Sequence, residues 1–81
     1  MKIGYSERAG KTLESLPKAV SQAFFKQVRF MGQNLMHPSL RAKKYDESMD
    51  LWQARVNKSW RFYFLIQDDV YYIVDIVPHP K

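Results

Sequence analysis

Residues 51 to 64 read Leu51-Trp52-Gln53-Ala54-Arg55-Val56-Asn57-Lys58-Ser59-Trp60-Arg61-Phe62-Tyr63-Phe64. Side chains of a strand point alternately to its two faces, so every second residue of this run shares a side. The apolar side comprises Trp52, Ala54, Val56, Trp60, Phe62 and Phe64. A turn centred on Lys58 keeps the two sides separate. The run therefore predicts a β-hairpin with one apolar face and one polar face.

This hairpin brings two arginines together on its polar face. Arg55 pairs across from Arg61, with Gln53 and Tyr63 beside them. Like charges that face each other across two strands cost energy unless an anion lies between them. Two interpretations are open. The face is the wet side of an amphipathic sheet, or the two guanidinium groups hold a phosphate.

The composition limits the classes of protein that this chain can be. Its 81 residues predict one small domain, spanning residues 1–81. A domain of this size cannot hold two lobes around a large cofactor. The chain has no cysteine, and His37 and His79 are its only imidazoles, so we expect no metal site. No apolar run approaches the roughly 20 residues of a membrane helix, and no signal peptide is recognisable. We expect a soluble, cytoplasmic protein without membrane contacts.

Positive charge is concentrated in the first part of the chain. The net charge is +5, but residues 1–45 carry nine Lys and Arg against two Glu, whereas residues 46–81 carry four against six Asp and Glu. A basic surface attracts polyanions such as nucleic acid at long range without selecting a sequence. The charge therefore favours the phosphate interpretation of the arginine pair only where it adjoins those strands.

The N-terminal part predicts a strand followed by two helices. Residues 2–5 suit a short strand, Ser6 suits the N-cap of a first helix, and Pro17 suits the first turn of a second. Apolar residues recur near every 3.6 positions in the second helix, at Val20, Phe24, Val28, Met31 and Leu35. We expect the two helices to form an antiparallel hairpin that packs this stripe on a sheet.

The C-terminal part predicts three strands. Residues 36–50 show no sustained period and are expected to form a long loop. After the hairpin, Asp68 and Asp69 suit a tight turn into a third strand from Val70 to Val77. The predicted fold class is α+β: an N-terminal strand, an antiparallel two-helix hairpin and a three-stranded antiparallel meander, with the helices on one face of a single sheet.

A few side chains suit phosphodiester chemistry. Cleavage of RNA through its own 2′-hydroxyl needs a base, cations for the charge on the phosphoryl oxygens, and an acid for the departing 5′-oxygen. Arg55 and Arg61 suit the cationic role, and His79 suits the acid. For a histidine near the C-terminus, an ordinary surface position is the alternative.

Other side chains suit the binding of RNA. Arg41, Lys43 and Lys44 precede the hairpin and supply positive charge, although solvated loop charge is the alternative for the two lysines. Tyr45 and Tyr63 offer rings on which unpaired bases can stack. Trp52 and Trp60 are assigned to the core by their position in the alternation.

Two motifs give the chain a resemblance to a known family. The first is His37-Pro38-Ser39-Leu40-Arg41 with Lys43-Lys44. The second is Leu51-Trp52 with Arg55-Val56-Asn57, Arg61 and Phe64, followed by Asp68-Asp69 and a strand closing at His79. In these motifs and in the order of elements, the chain resembles the RelE/ParE superfamily of toxins from bacterial type II toxin–antitoxin pairs. The resemblance is to its ribosome-dependent mRNA endonuclease branch, which includes RelE and YoeB, and it implies the RelE-like fold.

The resemblance implies roles for individual residues. Arg61 matches the arginine that stabilises the scissile phosphate, Arg55 falls near a supporting basic residue, and His79 matches a histidine that acts as general acid. His37 and its motif are placed among the residues that bind RNA or the ribosome. No glutamate stands at the position of the general base, where Arg41 or Ala42 lies nearest, and Glu47 from the loop is one alternative. Pro80 replaces a tyrosine that follows the histidine in YoeB-like enzymes.

The resemblance also implies partners, and it leaves more than one function open. A toxin of this branch binds a cognate antitoxin, the ribosome and mRNA, and it uses no small-molecule cofactor. A ParE-like inhibitor of DNA gyrase is a second expectation, since it shares the fold. A toxin-fold protein of weak activity that binds only antitoxin or nucleic acid is the third. The His37 motif and His79 favour the first.

Overall fold

The computed structural model describes residues 2–79, so the predicted departure at Pro80 lies outside the described residues. The elements, in chain order, are β1 Lys2–Tyr5, α1 Glu7–Ser15, α2 Lys18–Gln33, a 3₁₀ turn Pro38–Leu40, β2 Lys43–Asp46, β3 Leu51–Asn57, β4 Trp60–Gln67 and β5 Val70–Pro78. None of the helices within residues 2–79 is long and apolar enough to cross a membrane.

The strands form one five-stranded sheet in the order β1-β5-β4-β3-β2. β1 runs parallel to β5, and the other neighbours are antiparallel. The predicted α+β class with one sheet is confirmed, although the sheet is mixed. A parallel pair needs a long crossover. Here the chain passes through both helices and the strands β2, β3 and β4 before it returns beside β1 as β5.

The segment predicted as one long loop contains regular structure. Residues 36–50 include the 3₁₀ turn and the edge strand β2, which pairs with β3 and is irregular at Tyr45. The prediction of a continuous loop was therefore wrong. The strand was not predicted because Lys43-Lys44-Tyr45-Asp46 shows no alternation of apolar and polar residues. Its extended conformation depends on pairing with β3.

The predicted pairing of the two arginines is confirmed, but the turn differs from the prediction. A bulge between Arg55 and Asn57 pairs Asn57 with Trp60 around Lys58 and Ser59, so the prediction of a turn centred on Lys58 was wrong. Ala54 pairs with Phe62 and Arg55 pairs with Arg61 across β3 and β4. In the turn, Ser59 N donates to Asn57 Oδ1 at 2.8 Å. Ala54, Val56, Phe62 and Phe64 of the apolar face are buried, and Trp52 and Trp60 are partly buried. The arginines therefore occupy the other face.

The helices bury the apolar face of the sheet. Ser6 caps α1, since its Oγ accepts a hydrogen bond from Ala9 N at 3.0 Å, and Pro17 immediately precedes α2. α1 packs on β5 and α2 packs on β3. The predicted stripe of α2 is buried from Val20 to Met31, whereas Leu35 lies beyond the end of the helix at Gln33 and is only partly buried. At the centre, the ring of Phe24 meets Phe62 edge to face at 5.3 Å.

Two adjacent phenylalanines of α2 test this packing. Phe24 is fully buried and Phe25 is 44% exposed. We expect Phe24→Ala to lower the free energy of unfolding by about 3 to 5 kcal/mol, because it leaves a cavity between helix and sheet. Phe25→Ala is the control and should cost less than about 1 kcal/mol. Urea denaturation measures both, and equal losses would contradict the assigned helix face.

Candidate active site

A basic pocket of about 220 Å³ lies over the polar face of the central hairpin. Its lining comes from three separated parts of the chain: Arg41, Lys43, Gln53, Ala54, Arg55, Arg61 and His79. The structure thus brings together the two predicted catalytic arginines, the predicted histidine and two of the predicted loop cations. His79 reaches the pocket because its backbone N donates to Ser59 O at 2.8 Å, which ties the end of β5 to the hairpin turn.

Arg61 is held in place by backbone carbonyls. Its Nη1 donates to Asn57 O at 2.6 Å and to Trp60 O at 2.9 Å. Burial lowers the pKa of Arg61, and the charges of Arg55 and Arg41 lower it further. A lowered pKa means that folding disfavours the charged form, and this cost persists throughout the pH range below the folded-state pKa, including neutral pH. A bound anion relieves it.

No carboxylate neutralises the pocket among residues 2–79. The ion pairs of this part of the chain join Arg8 to Asp75, Lys11 to Glu7 and Lys44 to Asp50. None of them involves a cation of the pocket, and Glu47, one candidate for the general base, does not line it. The unopposed guanidinium groups are suited to a phosphate, which accepts several hydrogen bonds at once.

Gln27 joins α2 to the 3₁₀ turn and to β3. This side chain is buried in α2. Its Nε2 donates to Arg55 O at 2.7 Å and to Ser39 O at 2.9 Å, and its Oε1 accepts from Ser39 Oγ at 3.1 Å. The sequence prediction missed this residue, although a signal was present: a polar side chain stands three residues after Phe24, within the apolar stripe.

Arg41 enters the pocket from a left-handed backbone conformation. Its φ is 48° and its ψ is 42°, directly after the 3₁₀ turn. For a residue other than glycine this conformation costs about 1 to 2 kcal/mol. The buried Leu40 and the bonds from Gln27 to Ser39 anchor the preceding turn and so maintain it. Backbone strain of this kind is concentrated at functional sites.

Four side chains that are predicted to contact RNA do not line the pocket: Tyr45, Tyr63, Lys44 and His37. Tyr45 and Tyr63 line a neighbouring groove. The Nζ of Lys44 lies 5.1 Å from the centroid of the Trp52 ring. It also donates a hydrogen bond to Asp50, and this bond raises the pKa of Lys44.

His37 is occupied within the fold. Its ring stacks on Phe30 at 4.1 Å, and its Nδ1 accepts from Ser39 N at 3.2 Å. These contacts explain the first motif as the start of the 3₁₀ turn. Contact of His37 with RNA or the ribosome stays a prediction.

Comparison with known proteins places the fold. No family model and no curated protein match the sequence. The YoeB/ParE toxin from Agrobacterium tumefaciens has a TM-score of 0.83 at 12% identity, over 99% of this chain and 100% of that one. The YoeB dimer from Staphylococcus aureus has a TM-score of 0.81 at 14% identity, over 99% of this chain and 98% of the matched chain. The archaeal RelE–RelB complex from Pyrococcus horikoshii has a TM-score of 0.78 at 22% identity, over 95% of this chain and 92% of the matched chain.

These similarities span both chains almost completely. The chain has the RelE-like fold of the RelE/ParE toxins, which confirms the predicted resemblance as a likeness of fold.

The repulsion within the pocket is testable through Arg55. Arg55→Gln should raise the free energy of unfolding by about 0.5 kcal/mol at low salt, because it removes a charge that faces Arg61. The gain should shrink as salt screens the pair. Lys58→Gln removes the same charge from the exposed turn and serves as control. Urea denaturation at two ionic strengths measures the effect. An Arg55 variant with a lower free energy of unfolding than the control would show that Arg55 and Arg61 do not repel each other.

Gln27 gives a second test of the site. Gln27→Leu keeps the approximate size of the side chain but leaves the carbonyls of Ser39 and Arg55 without their donor. We expect a loss of about 2 to 3 kcal/mol in the free energy of unfolding. Gln22→Leu changes an exposed glutamine of the same helix and should have little effect. Equal thermal unfolding temperatures for the two variants would show that the bonds of Gln27 contribute nothing.

Proposed function

We propose that this protein is the toxin of a type II toxin–antitoxin pair and that it cleaves mRNA bound to the ribosome. In this proposal residues 1–81 are one toxin domain. The observation that carries it is the convergence of Arg55, Arg61 and His79 on one basic pocket without a carboxylate among the described residues that line it. The fold supports it, because solved structures of the same fold are RelE, YoeB and YafQ toxins.

The reaction is an attack of the RNA on its own backbone. The 2′-oxygen forms a bond to the adjacent phosphorus while the bond from phosphorus to the 5′-oxygen breaks, leaving a cyclic phosphate and a free 5′-hydroxyl. Arg61 and Arg55 bind the phosphoryl oxygens and stabilise the charge that grows on them. His79, in its protonated form, donates its proton to the departing 5′-oxygen. The 2′-hydroxyl proton leaves to solvent or to a group of the ribosome.

Substrate binding relieves the repulsion that folding leaves in place. Arginine stays protonated at neutral pH, and Arg61 is held beside Arg55 and Arg41 by its bonds to the turn. Fixed charges need no rearrangement when negative charge develops on the phosphate, and this is the condition under which electrostatic catalysis is most effective.

The ribosome accounts for what the pocket does not contain. A cavity of about 220 Å³ has room for a phosphate and its sugar but little surface with which to orient a chain of RNA. Orientation by a partner makes the attack effectively intramolecular. Action on the ribosome also places the protein in the cytoplasm. An antitoxin would cover the basic face, as partners accompany the toxins in the solved RelE–RelB and YoeB–YefM complexes.

Arg61 and His79 provide the direct test. Arg61→Ala should lower mRNA cleavage and growth arrest by roughly 100-fold or more, because it removes a contact to the transition state. His79→Ala should lower cleavage by about 100-fold, because no acid remains for the leaving group. Lys58→Ala, an exposed cation of the turn, is the control. Brief expression followed by mapping of mRNA ends and ribosome footprints measures all three.

The same experiment separates the competing functions. Full cleavage by the Arg61 variant would reject the assigned centre. Breaks in DNA linked to gyrase, with intact mRNA, would favour the ParE-like inhibitor. Expression of the unaltered protein without any growth defect would favour a protein that only binds antitoxin or nucleic acid.

A further inference from the structure

A second groove of about 300 Å³ lies on the same face of the sheet as the basic pocket. Tyr45, Leu51, Tyr63, Val74 and Asp75 line it. Tyr63 lies two residues after Arg61 on β4, which separates their backbone positions by about 7 Å. This spacing is close to that of consecutive nucleotides in an extended single strand. A phosphate between the arginines therefore leaves a neighbouring base within reach of the groove.

Two tyrosine rings of the groove are in contact with each other. The rings of Tyr45 and Tyr63 meet edge to face at 4.9 Å. Gln53, which lines the basic pocket, donates from Nε2 to the hydroxyl of Tyr63 at 3.0 Å. The two cavities are thus connected by a hydrogen bond that fixes the Tyr63 ring. Tyrosine rings at a half-exposed position are suited to stacking with a base.

A carboxylate, that of Asp75, is part of the lining of this groove. The side chain of Asp75 is only 19% exposed, and Asp75 is the cross-strand partner of Tyr63. Its Oδ1 accepts from Ile76 N at 2.9 Å, and its Oδ2 lies 3.4 Å from Nε of Arg8, whose side chain is 81% exposed. A carboxylate offers about four acceptor sites, so capacity remains on both oxygens. An ion pair with so exposed a partner contributes little to stability, so a ligand can replace Arg8 at the carboxylate at low cost.

A β-bulge puts this carboxylate in the groove. The register of β4 and β5 shifts between Tyr63 and Phe64, which pair with Asp75 and Ile73 and leave Val74 as the extra residue. Without the bulge, Val74 would face Tyr63, and Asp75 would fall opposite the fully buried Phe62. Ser6 holds the bulge, since its Oγ donates to Val74 O at 2.6 Å. Bulges of this kind redirect side chains beside functional sites.

We propose that the groove binds a guanine base next to the reacting phosphate, with Asp75 as the residue that selects it. The inference rests on the proposed function, whose substrate it specifies. The Tyr63 ring supports the base, and the carboxylate accepts hydrogen bonds from N1–H and N2–H of guanine. Only guanine presents two adjacent donors on its Watson–Crick edge. Adenine, cytosine and uracil each present an acceptor beside a donor, which a carboxylate repels.

Binding of short RNA tests the proposal on the whole protein. The probes are fluorescent 2′-O-methyl tetrauridylates, which cannot be cleaved, with a single guanine, adenine or cytosine placed at each position in turn. Guanine at one position should bind about tenfold more tightly than uridine, within the range of bidentate base contacts. Adenine and cytosine should give no such gain. Equal binding of all four bases at every position would overturn the proposal.

Matched variants identify the group that selects the base. Asp75→Asn keeps the acceptor for Ile76 N, and it should abolish the guanine preference, so that the guanine and all-uridine probes bind this variant with equal affinity. Asp69→Asn removes the same charge in the exposed turn before β5 and should retain the preference. Arg8→Gln should retain it as well. Loss of the preference in the Arg8 variant would show that Asp75 acts only through Arg8, and would overturn its assigned contact with the base.

Cleavage sites distinguish this proposal from the one on which it rests. If mRNA is cut with no base enriched at any position around the cut, the guanine site is wrong and the nuclease assignment stands. If guanine is enriched at one position, and the enrichment disappears in Asp75→Asn while cutting continues, both are supported. If neither mRNA cleavage nor binding of the all-uridine probe through Arg61 occurs, the proposed function fails and the groove proposal fails with it.

Discussion

The pairing of Arg55 with Arg61 across β3 and β4 is the constraint on which the site depends. Burial of Phe62 and Ala54 against the helices fixes the register, because a slip of one residue would exchange the faces of both strands. The hydrophobic core thereby holds two like charges opposite each other. Burial lowers the pKa of Arg61 and the charges of Arg55 and Arg41 lower it further, so the charged pair opposes folding and is suited to an anion that would offset this cost.

The remaining parts of the site are brought to this hairpin by polar contacts. Gln27 links α2 to Arg55 and to the turn before Arg41, and the backbone of His79 binds that of Ser59. The bulge at Val74 then directs Asp75 beside Tyr63. Each contact satisfies a buried or edge backbone group, so the same hydrogen bonds that complete the fold also position the side chains that would meet RNA.

Much of the site was predictable because it follows from a short periodic pattern. The alternation around Lys58 predicts the hairpin and the pairing of Arg55 with Arg61, both of which the structure contains, but not the bulge that shifts the register beside the turn. The edge strand β2 was not predicted, because its four residues pair without burying an apolar face. Gln27 was overlooked because a polar residue within an apolar stripe has no visible partner until the segments that it joins are folded.

The sequence by itself determined the class of fold and the central hairpin, because local periodicity decides which face of each element is buried. Only the tertiary structure decided that Arg41, Lys43 and His79 meet the arginine pair, since these residues are distant in the chain and carry no periodic signal. The parallel pairing of β1 with β5 and the bulge at Val74 were likewise decided in three dimensions. Both depend on contacts between the two ends of the chain, which no local pattern encodes.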